Sequence, residues 1–169
     1  MDEQSLFFTS IVAISATGLM LLALQFLAKK QNLQLQTENK ISLAYTFWIS
    51  SILAAFFMFL KSALTQIENS IEIIIYSKTI DNTFWAVMQK IIIFVGFTFI
   101  FTFLSYFIVH NLLNLLIGKR SNKNESSNEN IGYFILKGLL LIFLVFSITT
   151  IFEHFLGWFM PIVETPFYH

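Results

Sequence analysis

Apolar residues fill this chain in four long blocks separated by short polar ones, and the blocks are too long for the helices of a water-soluble core. The clearest is IGYFILKGLLLIFLVFSITTIFEH, residues 131–154, which carries no charged side chain between Gly138 and Phe152. A helix rises about 1.5 Å per residue, so such a block crosses a hydrocarbon layer of about 30 Å. The predicted spans are 6–28, 41–64, 84–113 and 131–156. An interfacial tail, 157–169, follows; it holds Trp158, Phe159, Phe167 and Tyr168, while Pro161 and Pro166 forbid a continuous helix. The expected fold class is all-α, a single polytopic integral membrane domain of four transmembrane helices in two helical hairpins. TENKISLAY ahead of the second span and SNENIGYF ahead of the fourth are alike enough to suggest a weak tandem repeat.

Within the spans, helical spacing sorts the polar residues onto faces. Ser10, Ala13 and Thr17 share one face of the first span, and Gln25 is its one amide. In the second, Ala44, Trp48, Ser51, Ala55, Met58 and Ser62 follow a 3.6-residue period, with Ser51 and Ala55 a small-xxx-small pair suited to close helix packing. Thr98, Thr102 and Ser105 make the clearest polar stripe in the chain, on a third span longer than one bilayer thickness, which must tilt or begin in the interface. Two readings attach to the set Thr17, Ser51, Thr98, Thr102 and Ser105. These side chains pack helix on helix, or they line an aqueous path. Lys61, Lys137, Glu153 and His154 lie toward span ends, where a lysine stem snorkels to the headgroups or a charge marks the mouth of a pore.

The connections differ in character. KKQNLQLQTENK, residues 29–40, reads as a polar surface loop or a helical extension, with Thr37 or Asn39 capping the next helix. In 65–83, Ile67, Ile71, Ile74 and Ile75 form a stripe that predicts a helix lying on a surface, with a short β-rich turn as the competing reading. NLLIGKRSNKNESSNEN, residues 114–130, has the composition of a mobile, solvated loop. The basic residues Lys29, Lys30, Lys40, Lys119, Arg120 and Lys123 all fall in the first and third connections, so the positive-inside rule predicts that 29–40 and 114–130 are cytoplasmic and that both termini lie outside.

Composition agrees with the pattern. Charged residues make up 12% of the chain, about half the usual soluble fraction, and 21 residues are Phe. Formal net charge is zero, which gives no footprint for nucleic acid, and the absence of cysteine removes disulfides and thiolate chemistry. P-loop, Rossmann, HExxH and GxSxG patterns are missing from the sequence. His110 belongs to the opposite end of the bundle from His154 and His169, so the three do not converge on a metal. Neither an enzyme nor a metal or other cofactor is expected. The lipid bilayer is the expected partner, together with other copies of the chain as a homo-oligomer. The functional readings, in order, are an oligomeric ion-conducting or pore-forming protein; a non-catalytic anchor or subunit that recruits a soluble partner or joins a larger membrane complex; and a small transporter.

Overall fold

The computed structural model describes residues 3–33, 36–37, 40–76 and 82–161. Four long helices, α1 (Glu3–Lys30), α2 (Leu43–Tyr76), α3 (Thr83–Ile117) and α5 (Ile131–Gly157), are joined by a short helix, α4 (Asn122–Ser127), and by a two-residue antiparallel ladder. That ladder pairs β1 (Gln36–Thr37) with β2 (Lys40–Ile41) in the connection between α1 and α2. The architecture is otherwise all-helical. Each long helix is long and apolar enough to cross a membrane, so the fold is compatible with a multi-pass membrane protein. The outer surface points the same way, since Ile14, Phe26, Phe143 and Phe146 are 74%, 71%, 64% and 73% exposed.

Contacts fix how the helices run. The start of α1, the end of α2 and the start of α3 meet where Phe8, Ile71, Ile75, Phe84 and Val87 line a common cavity. At the other end Trp48 near the start of α2 bonds to Tyr106 late in α3. α2 therefore runs antiparallel to both α1 and α3. α2 is the hub, packed against α1, α3 and α5, whereas α1 and α3 touch little. Phenylalanines fill the space between α2, α3 and α5, with Phe59–Phe152 and Phe101–Phe152 ring centroids both 4.8 Å apart and Phe56–Phe99 at 5.1 Å. Part of the chain's Phe content goes here, as rings inclined to one another by 53–61°.

Two connections differ from the sequence expectation. Residues 65–76 are the continuation of α2 and not a separate helix on a surface: no Gly or Pro interrupts the helix, and the isoleucine stripe stays in phase with the core face. Ile67, Ile71 and Ile74 are buried, while Ile75 is exposed. The 114–130 segment is ordered where a solvated loop was expected. α3 continues to Ile117, Gly118 turns the chain at φ 83°, and α4 then buries Asn122, Glu125 and Ser126. Polar composition misled because these polar groups find protein partners. Glu125 accepts from Arg120 (3.0 Å) and Asn130 (2.6 Å), and Asn130 caps α5 by accepting from the Tyr133 amide. Asn39, the side chains of Thr37 and Lys40, the tail beyond 161 and residues 77–81 lie outside what the structure describes.

Both helix ends at this side close with the same device. After α1, Asn32 adopts φ 51° while the Leu33 amide bonds Ala28 O and the Asn32 amide bonds Lys29 O. After α4, Glu129 adopts φ 48° while the Asn130 amide bonds Glu125 O and the Glu129 amide bonds Ser126 O. These are Schellman caps with a non-glycine residue in the left-handed position. Glu129→Val should therefore lower stability by about 1–2 kcal/mol, because a β-branched side chain clashes there, whereas Glu129→Gly should be neutral or slightly stabilising. Thermal unfolding of the detergent-solubilised protein reads the difference.

Candidate functional site

The two caps and α4 bring polar side chains from five segments to one buried point. Gln31 is delivered by the cap of α1, Trp48 by α2, Tyr106 and His110 by one face of α3, Asn122 by α4, and Tyr133 and Lys137 by one face of α5. Asn122 is the keystone. Its Nδ2 donates to Gln31 Oε1 (2.6 Å) and Tyr106 Oη (2.7 Å), and its Oδ1 accepts from Lys137 Nζ (2.9 Å) and Tyr133 Oη (3.1 Å). Those four bonds use all the hydrogen-bonding capacity of a primary amide. Trp48 Nε1 and Lys137 Nζ also donate to Tyr106 Oη, at 3.0 and 3.2 Å.

Lys137 is 3% exposed, so it does not snorkel to water. Its Nζ lies 3.3 Å from His110 Nδ1 and over the Tyr106 ring at 4.5 Å, a cation–π distance. Among the described residues, no carboxylate pairs with it. Along α5 the rise from Lys137 to Gly157 is about 30 Å, one hydrocarbon thickness. In a bilayer crossed by α5 the cluster would therefore sit at one boundary of the apolar slab. An ionisable side chain buried at such a place is expensive and points to function by default.

A cavity of about 720 Å³ opens beside the cluster. Tyr106, His110, Asn122 and Gln31 form its polar floor, Lys30, Arg120 and Lys123 its rim, and Leu27, Phe103 and Phe107 an apolar wall. No carboxylate is among its described lining residues. The Arg120 guanidinium uses Nη1 to hold Glu125, which leaves other N–H groups of its five-donor fork for a ligand.

No known protein family, curated protein or solved structure matches this chain. What the molecule does must come from the geometry.

The residues singled out from sequence are scattered by the fold. Thr98, Thr102 and Ser105 are fully buried within the bundle, and Thr98 and Thr102 bond back to Phe94 O and Thr98 O of their own helix, at 2.9 and 2.7 Å. Ser51 bonds Trp48 O and sits against Gly138 of α5. Thr17 bonds Ala13 O and, with Lys61 and Glu68, lines a separate groove between α1 and α2. Glu153 accepts a 2.7 Å bond from Ser62 at the far end, and His154 is exposed nearby. Lys29 and Lys30 close α1 and are exposed, as are Lys119, Arg120 and Lys123. Of all these, only Lys30, Arg120, Lys123 and Lys137 belong to the site described here. Sequence reasoning missed Gln31, Tyr106, Asn122 and Tyr133. Tyr106 and His110, like Tyr133 and Lys137, are spaced i, i+4, and that spacing was the available signal.

Proposed function

We propose that this chain is an integral membrane protein that acts by holding an anionic ligand at its basic end, without catalysis and without conducting ions through its own bundle. One observation carries the reading. A cavity rimmed by Lys30, Arg120 and Lys123, with no carboxylate in its described lining, lies over a polar floor fixed by Asn122. Such a cavity focuses positive potential on a small volume. By the positive-inside rule this end faces the cytoplasm, with both termini on the other side.

Conduction is the weaker reading. Interlocked phenylalanines occupy the interior, and the hydroxyls of Thr98 and Thr102 are committed to their own helix. A lumen shared between copies would have to be walled by exposed faces dominated by side chains such as Ile14, Phe26, Phe143 and Phe146. A single copy contains the whole basic site, so binding does not call on the homo-oligomer expected from sequence. The anchor expected from sequence would use this same surface.

Inorganic pyrophosphate is a suitable probe, titrated calorimetrically against protein in phosphatidylcholine nanodiscs. Saturable binding that weakens as salt rises is expected, with at least a tenfold loss in the Arg120→Gln, Lys123→Gln double variant. Proteoliposomes should hold a salt gradient. An ion leak through the wild-type protein that Thr98→Val with Thr102→Val abolishes would overturn binding in favour of conduction.

A further inference from the structure

The basic cavity is not a closed cup. It lies between α1 and α3, which make little contact with each other. Its wall grades from charge to hydrocarbon: Lys30, Arg120 and Lys123 at the rim, then Gln31, His110 and Tyr106, then Leu27, Phe103 and Phe107. Phe107 is 60% exposed on the outer surface of α3, so the apolar side of the cavity continues onto the lipid-facing surface. Depth agrees with this gradient. α3 rises about 16 Å further from Tyr106 to Ile117, and Lys29 and Lys30 end α1, so the cavity is level with the headgroups of the leaflet at that end.

We propose that the cavity takes the phosphate of an anionic phospholipid entering sideways between α1 and α3, with its acyl chains along Leu27, Phe103 and Phe107; this rests on the anionic reading above. The shared chemistry is a phosphate ester, and the lipid is favoured over a soluble ester by the apolar wall. A soluble ligand has no use for a hydrocarbon surface open to the bilayer. Three cations from two segments of sequence meet here, and basic pockets between membrane helices are a recurring way to hold anionic headgroups. Phosphate oxygens suit the planar fork of Arg120, and the two lysines add point charges.

Native mass spectrometry of the full-length protein, released from detergent after exposure to phosphatidylglycerol or phosphatidylcholine, tests this. One phosphatidylglycerol should be retained at least tenfold better than phosphatidylcholine. Lys30→Gln with Arg120→Gln and Lys123→Gln, all at exposed positions, should erase that preference. Leu27→Trp fills the apolar wall and leaves the cations in place; it should cut phosphatidylglycerol retention about tenfold, and retention left at the wild-type level overturns the lipid inference. Equal retention of the two lipids, or displacement of phosphatidylglycerol by glycerol phosphate at equal concentration, overturns the lipid inference. In the second case the anionic site survives, with a soluble ester as its ligand. If neither pyrophosphate nor phosphatidylglycerol binds, both readings fail.

Discussion

Asn122→Leu should destabilise the protein by about 2–4 kcal/mol, whereas Lys137→Met should change stability by about 1 kcal/mol or less, although lysine is the more costly residue to bury. The asymmetry follows from what each substitution leaves behind. Without the Asn122 amide, Gln31 Oε1 loses its 2.6 Å donor, Tyr133 Oη loses its acceptor, and Lys137 keeps only Tyr106 Oη and His110 Nδ1. Buried polar groups left unpaired cost about 1–3 kcal/mol each, partly relieved by rearrangement. Removing Lys137 instead takes a partner only from His110 Nδ1, at 3.3 Å, on a ring that lines the open cavity. Asn122 Oδ1 still accepts from Tyr133, and Tyr106 Oη still accepts from Trp48 and Asn122. Methionine fills a similar volume and takes no charge out of water. Thermal unfolding of both variants in the same detergent makes the comparison. A Lys137→Met variant as unstable as Asn122→Leu would mean that the amine, and not the amide, holds the cluster together. Pyrophosphate titration separates function from stability, because Lys137→Met should weaken binding while the fold persists.

The bundle was legible from sequence for a simple reason. Hydrocarbon demands continuous apolar helices, and a block such as 131–154 can satisfy that demand in only one way. Legibility failed where polar residues turned inward. The NESSNEN run has the composition of a solvated loop, yet it contributes Glu125, Ser126 and Asn130 to a capped corner, and the preceding Asn122 enters the core. Composition counts polar groups; it does not show whether other polar groups await them. The 65–76 segment failed differently. Its isoleucine stripe has a helical period, which predicts a separate surface helix only if a span stops at one bilayer thickness, and α2 does not stop there. For the site, Lys137 and the Arg120–Lys123 cluster were visible as isolated charges. That Lys30, remote in sequence, completes the same cavity depends on how α1 packs on the bundle, and no local pattern records that.

Gly138→Ala should cost about 1–3 kcal/mol, and Ser51→Gly on the facing helix should recover most of the loss. A Cβ placed on Gly138 would lie 2.9 Å from Ser51 Cβ and 3.3 Å from Ser51 Oγ. The first contact is the harder to relieve, since Cβ is fixed to the α2 backbone and no rotamer change moves it. α2 and α5 must then separate where their packing is closest. Ser51→Ala is the discriminating control, because it removes the hydroxyl, keeps Cβ and so should give no rescue. Ser51→Gly alone should cost about 1 kcal/mol as an ordinary helix-interior glycine, which makes the double variant more stable than the sum of its parts predicts. Lys137 is the residue next to Gly138, so the same separation displaces its Nζ from Asn122 and Tyr106. Anion affinity should therefore fall in Gly138→Ala and return in the double variant, in step with stability. If affinity stayed at the wild-type level while stability fell, the cluster at the basic end would be independent of the α2–α5 seam, and the link drawn here between packing and binding would be wrong.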